Sequence, residues 1–407
     1  MRNGWTINHY RFFRVLLGIY LLVHFAHLLP WAAELFSSDG MLADATSSPL
    51  LNAFPNLFSL IDAPWLVEAL VASGALAALA LAMGRYDRLA ALWLFYLLAC
   101  LFGRNPLIAN PSLPYVGWML LLHVCVPKPR RGSVAADWRL PGALYLAAWV
   151  VLAAGYSYSG YTKLLSPAWV SGETVRIVLE NPLARDHVWR EWLLSTSPLL
   201  LQGVTWTVLY VELLFAPLAF WRRARPLLWL TMLLVQFGFL VLLNFADLTF
   251  PMLLIHLLTF DPAWVRPLQT KKGTERILYD GECGFCHGFV RFVLAEDRQV
   301  VFKFAPLQRM GAQQAAPLAG PEQEESLASL RVLCPDGTVR LRSRAVAHVL
   351  ERLGGLWRLV ALLIYAVPRP VADLGYDTVA LIRRRLLPRP AGLCPLLPPA
   401  LAARFEG

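Results

Sequence analysis

Two cysteines, Cys283 and Cys286, stand two residues apart in YDGECGFCHGF, a glycine-rich turn followed by apolar residues at helical spacing. Where such a pair opens a helix, the first sulfur sits among backbone N–H groups that lack an intrahelical partner, at the positive end of the helix dipole. That setting favours a thiolate. Cys283 is then the exposed attacking thiol, and Cys286, one turn further in, resolves the bond that Cys283 forms. Gly281 and Gly284 let backbone approach the sulfur closely, and a protonated His287 beside the pair raises the thiolate fraction. Two other chemistries compete. A zinc half-site needs a second pair, whereas Cys334 and Cys394 are isolated singles; an inert surface pair is the remaining reading.

A second candidate is Lys163 in SYSGYTKLLSPAWVSGETV. A lysine against apolar walls loses part of its preference for the charged form and becomes usable as a base. A lysine that snorkels to a membrane interface gives the same pattern. Other ionisable residues fall inside apolar runs, where they are costly and therefore functional candidates: His24, His27, Glu68, His123, Glu212 and His256. His24 and His27 share a helix face. They would ligate a metal or haem if further ligands converged, but polar pairs packed inside a bundle are commoner.

These residues need elements to hold them. Only 16% of the 407 residues are charged and 57% are apolar, a deficit that points to a lipid-facing surface. Segments near 12–31, 63–84, 88–104, 114–127, 141–162, 198–221, 226–244 and 246–263 each read as a membrane span, with the fourth and eighth short enough to be re-entrant instead, so about eight, give or take one, are expected. With the N-terminus inside, loops on the cytoplasmic side hold twelve Lys and Arg and the opposite loops five. That asymmetry and an even count put both termini in the cytoplasm and make the chain a multi-pass inner-membrane protein whose first partner is the lipid bilayer. No basic–aromatic interleaving suggests nucleic acid.

From about Lys271 the texture changes. ERILYD reads as a strand, CGFCHGFVRFVLAED as a helix and VVFKFAPL as a strand. SLRVLC-PDG-TVRLRS reads as a hairpin and SRAVAHVLERLGG as a helix. LWRLVALLIYAV, at twelve residues, is about 18 Å long as a helix and too short to span. The fold class expected is a polytopic α-helical membrane domain with a C-terminal α/β thioredoxin-like domain: residues 1–265 in the membrane domain, 266–274 a linker, 275–396 the α/β domain and 397–407 a tail.

YDGECGFC, the hairpin with its Asp-Gly turn, GYDTVALIRRR and AGLC resemble the DCC family of thiol-disulfide oxidoreductases over roughly residues 275–396. The resemblance implies a thioredoxin-like fold with Cys283 and Cys286 as the active pair, and places Tyr376, Arg383 and Cys394 in the family's tail motif. No proline directly precedes the strand Leu330–Cys334, where thioredoxins carry a cis-proline. RFFRVLLGIYLLVHF, SSDGML, SGYTKLLSPAWVSGE and VELLFAPL resemble the transmembrane domain (HTTM) shared with vitamin K-dependent gamma-carboxylase, over roughly residues 8–265. That resemblance implies that Lys163 matches the carboxylase's catalytic base and that a vitamin K-like quinone is a candidate ligand. Pro111 and Gln236 stand where related sequences carry histidines.

The expected function is therefore thiol-disulfide exchange through Cys283 and Cys286, with a membrane domain binding a quinone-like or other apolar substrate and a thiol redox partner beyond it. A carboxylase-related reaction with Lys163 as base is the second hypothesis, and a non-catalytic membrane anchor or transport component the third.

Overall fold

The structure is a computed structural model that describes residues 3–51, 53–60, 62–108, 110–129, 138–268, 273–309, 330–386 and 399–406. It divides into two compact units, one built mainly from Tyr10–Lys128 and Leu140–Phe260, the other from Asn3–His9 and Asp261–Gly407.

The first unit is helical. Its long elements are α1 (Ile7–Leu28), α2 (Pro64–Met83), α3 (Asp87–Arg104), α4 (Leu113–Cys125), α5 (Gly142–Leu164), α6 (Pro198–Leu213), α7 (Arg225–Leu242) and α8 (Ala246–Thr259). Proline opens α2, α6 and α7 within the first two positions, where its missing N–H costs no hydrogen bond. Gly84 closes α2 at φ 71°, a left-handed cap. All eight apolar segments are helical, but eight spans are too many. Among the described residues, four helices are each long and apolar enough to cross a membrane: Ile7–Phe36, Pro64–Met83, Gly142–Leu164 and Arg225–Leu242. The others fail for physical reasons. α4 and α8 have 13 and 14 residues, about 20 Å against a hydrocarbon core of about 30 Å. α6 stops after 16 residues at Leu214, and α3 carries Asp87, Arg88 and Arg104. Several apolar helices are compatible with a membrane protein.

Charged residues inside this unit find partners. Asp87 collects Lys128 at 2.8 Å, His123 at 3.5 Å and Arg14 at 3.6 Å. Asp247 accepts from Tyr20 at 2.9 Å and Asn110 at 2.7 Å, and meets His24 Nδ1 at 3.1 Å. His24 is thus committed to a carboxylate, and neither it nor His27 belongs to any group of three metal-ligating side chains among the described residues.

The second unit carries a four-stranded mixed sheet: β1 (Glu275–Tyr279), β2 (Phe302–Pro306), β3 (Arg331–Leu333) and β4 (Val339–Leu341), in the order β2-β1-β3-β4. β1 runs parallel to β2, joined by the crossover helix α9 (Gly284–Glu296), and antiparallel to β3, which pairs antiparallel with β4. Helices α10 (Arg342–Leu353), α11 (Gly355–Ala366) and α12 (Arg369–Leu386) follow. The core gathers Ile277, Val290, Val293, Phe302, Phe304, Val332, Ala345 and Val349, which is the apolar stripe of α9 and α10 laid on the strands.

Glu275, fully buried at the start of β1, is held by His348 Nε2 at 2.8 Å and Arg352 Nη2 at 2.7 Å. Burial works against its charge, but the hydrogen bonds and charges of His348 and Arg352 prevail and keep the carboxyl below its usual range. Residues 404–406, read from sequence as part of a tail, lie along β2: Phe304 N–H donates to Arg404 O and Glu406 N–H to Phe304 O, both at 2.9 Å.

α11 and α12 bend by 116°. Taken together they are long and apolar enough for a broken span or a re-entrant loop, and Leu363, Leu374 and Leu381 are more than two-thirds exposed.

Candidate functional site

The pair Cys283 and Cys286 lies where β1 gives way to α9. Cys283 is the N-cap residue of α9, extended at φ −102° and ψ 117°, and Cys286 sits in the first turn. The intervening turn is tied at several points. Asp280 Oδ1 accepts from Glu282 N at 3.0 Å and from Gln308 Nε2 at 2.8 Å, and Gln308 Oε1 accepts from Gly281 N at 3.0 Å. The side-chain amide of Gln308, just past β2, thus grips the turn from both sides. Cys283 N–H donates to Asp280 O at 3.3 Å.

His287 closes the same loop. Its Nε2 lies 2.9 Å from the carbonyl oxygen of Gly281, which can only accept, so Nε2 carries a proton. The ring stands edge-on to Tyr279, with centroids 5.6 Å apart. The histidine beside the cysteines therefore fastens the turn.

One expectation needs correction. The sequence pattern makes Cys283 the exposed thiol, yet it is 4% exposed, as is Cys286, and both belong to the core cluster with Ile277, Tyr279 and Val290. The ties to Gln308 and His287 fold the turn inward and carry the first sulfur into the apolar interior with it. At the N-cap, Cys283 has the sequence neighbourhood in which backbone N–H groups of a first turn face an incoming or resident anion.

Tyr376 serves the architecture of the domain, since its hydroxyl accepts from Leu330 N–H at 2.8 Å and fixes the approach to β3. Arg383 lies on α12, and Cys394 falls outside the described residues.

Lys163 ends α5 in the other unit. Its Nζ is ion-paired with Glu212 at the end of α6, donates to Ser159 Oγ at 2.8 Å and lies 4.9 Å from the centroid of the Trp169 ring. The side chain is 18% exposed and that of Glu212 5%, so the lysine is turned inward rather than snorkelling. Gly160 makes the approach of the helices possible: a Cβ there would meet Leu213 N at 2.3 Å and Glu212 C at 2.8 Å. Sequence reasoning flags Lys163 and Glu212 separately and misses that they pair. It also misses Ser159, Trp169 and Gln308 as partners. Pairings across 49 residues and 27 residues carry no local periodicity that could reveal them.

Comparison with known proteins meets the thiol region. The model of the family described as DCC1-like thiol-disulfide oxidoreductase matches residues 277–389. The "Uncharacterized protein YuxK" of Bacillus subtilis (strain 168) is 32% identical over 131 residues, which make up 32% of this chain and 91% of that protein. No solved structure matches the chain.

Proposed function

The chain belongs, through residues 277–389, to the DCC1-like thiol-disulfide oxidoreductase family, and from that premise we propose that it exchanges thiols and disulfides through Cys283 and Cys286. The observation that carries this reading is the C-x-x-C pair at the head of α9 directly after the central strand. Cys283 Sγ attacks one sulfur of a substrate disulfide. The other sulfur leaves as a thiolate and takes up a proton, and a mixed disulfide forms. Cys286 then gives up its proton and attacks Cys283 Sγ, which releases the second substrate thiol and leaves a Cys283–Cys286 disulfide. Two electrons have passed to the substrate, and a cellular dithiol restores the pair. The strand order β2-β1-β3-β4, with β1 and β2 parallel, supports a thioredoxin-like reading of the domain.

The same proposal makes the chain an integral protein of the inner membrane with cytoplasmic termini. Four long apolar helices among the described residues support membrane insertion, and the basic residues Arg85, Arg88, Lys128 and Arg139 between the second and third of them support the orientation. In the reducing cytoplasm the pair is held as a dithiol and acts as an electron donor. The acceptor is a disulfide of its thiol redox partner, or a small apolar substrate such as a vitamin K-like quinone, which takes up the two electrons with two protons.

A second reading rests on one observation, the inward-facing Lys163 with Glu212, Ser159 and Trp169 around it. As a base, Lys163 would first pass the proton of the ion pair to Glu212 and then, as a neutral amine, take a proton from an apolar substrate. This follows the resemblance of SGYTKLLSPAWVSGE to the gamma-carboxylase membrane domain.

The test uses three variants of the full chain in mild detergent. Cys286→Ser should accumulate a mixed disulfide through Cys283, and Cys283→Ser should lose reductase activity and trap nothing. Activity that survives Cys283→Ser but not Lys163→Ala would replace the first reading by the second.

A further inference from the structure

At the end of β1 away from the redox turn, three side chains of different chemistry converge. Glu275 opens β1, and the register Arg276 to Leu333 brings Cys334, just past β3, alongside it. His348 on α10 completes the group. Its Nε2 faces both neighbours, with Glu275 Oε2 at 2.8 Å and Cys334 Sγ at 3.6 Å, and the three ligand atoms lie within 4.8 Å of one another. Glu275 and His348 are buried, and Cys334 is half-buried.

One imidazole nitrogen can bear one proton, yet here it confronts two groups that can each accept it. A cation at the common point satisfies all three. A tetrahedral Zn2+ with Zn–S about 2.3 Å and Zn–N about 2.0 Å separates sulfur from nitrogen by roughly 3.5 Å; the spacing present is 3.6 Å. The nitrogen-to-oxygen edge would need to widen by roughly half an ångström from its hydrogen-bonded value to reach ligand geometry.

We propose that Glu275, Cys334 and His348 form a Zn2+ site distinct from the redox pair. Thiolate and imidazole select zinc over magnesium or calcium, which take oxygen ligands. A thiolate and a carboxylate balance the ion's charge. Arg352 holds the second carboxylate oxygen, Oε1, at 2.7 Å and fixes its direction, as outer partners of metal-bound carboxylates do. The half-buried sulfur provides the way in, and water can take the fourth position. Bound there, the ion ties β1, β3 and α10 together and keeps Cys334 out of thiol exchange.

The experiment uses the full chain, purified in detergent and stripped with a chelator, with Co2+ as the spectroscopic probe. A thiolate-to-cobalt charge-transfer band with tetrahedral visible bands is expected. It should persist in the Cys283→Ser/Cys286→Ser double variant and vanish in Cys334→Ser and in His348→Gln. A band that survives Cys334→Ser, or that disappears with the redox pair, overturns the assignment, as does the absence of any band. Since a variant can fail to fold, the unaltered protein gives a second reading: Zn2+ should slow alkylation of Cys334, followed on its peptide, and chelation should restore it. Equal labelling with and without Zn2+ overturns the site.

Discussion

The thiol turn and the lysine centre are built in opposite ways. In the turn, Asp280, Gly281, Cys283, Cys286 and His287 fall within eight residues, and Gln308 arrives from elsewhere. The lysine centre needs α5 to deliver Ser159 and Lys163, α6 to deliver Glu212, and the short helix Pro167–Ser171 to deliver Trp169. A turn whose ligands are sequence neighbours is fixed once the strand and helix flanking it form. A centre shared by helices exists only while those helices stay in contact. The first should therefore respond to substitution in its chemistry and the second in its stability.

Cys283→Ser tests the first half of that contrast and should have the largest effect. Disulfide reduction by the purified chain should fall to background, because the substitution removes the attacking thiol of the proposed exchange, while the melting temperature in detergent changes little. A large loss of stability in this variant would mean that the thiol is chiefly a core residue.

The second half is tested at Lys163. Lys163→Met leaves the buried Glu212 carboxylate without its partner, which should cost about 3 kcal/mol. Adding Glu212→Leu removes the stranded charge and should restore most of that loss, since replacing both members of a buried pair is close to neutral. Thermal melts of the two single variants and the double variant in one detergent give the coupling directly. Additive losses would show that the two groups do not interact.

The same contrast explains what can be read from the sequence. YDGECGFC announces its turn because the glycines, the cysteines and the helix they open are contiguous, and the alternation of strand and helix patterns around it gives the order of the second unit's elements. Apolar composition marks the helices of the first unit but overcounts spans. Hydropathy registers that α4 and α8 are apolar, whereas crossing a bilayer depends on length, and both are short. Burial of Cys283 escapes the sequence because it is decided by Gln308, which the parallel pairing of β1 with β2 brings up to the turn. The Glu275, Cys334 and His348 group escapes it for the same reason: sheet register brings together residues whose spacing in the chain has no period.

Gly160→Ala sharpens the comparison at the helix contact. The added methyl would overlap the backbone of Leu213, and forcing α5 from α6 should cost about 2 kcal/mol. Gly203 on α6 is the control, with nothing within 4 Å of a Cβ built there. Gly203→Ala should be neutral or stabilising by up to about 1 kcal/mol. Thermal melts that move both variants in the same direction would remove the packing argument for Gly160.

The smallest effect is expected at Gln308, which reaches the turn from beyond β2. The amide donates to Asp280 Oδ1 and accepts from Gly281 N–H, so each end of the group does something different. Gln308→Ala removes both bonds, but Gly281 is only half-buried and water can replace the lost acceptor. The cost should be about 1 kcal/mol, read as a roughly fivefold fall in kcat/KM with faster alkylation of Cys283 as its cover loosens. Gln308→Glu keeps the acceptor for Gly281 but turns the donor into a second carboxylate facing Asp280, so it should do more harm than alanine and recover as salt is raised. If glutamate were tolerated better than alanine, the contact with Asp280 would not hold the turn, and the burial of Cys283 would have to come from the core packing alone.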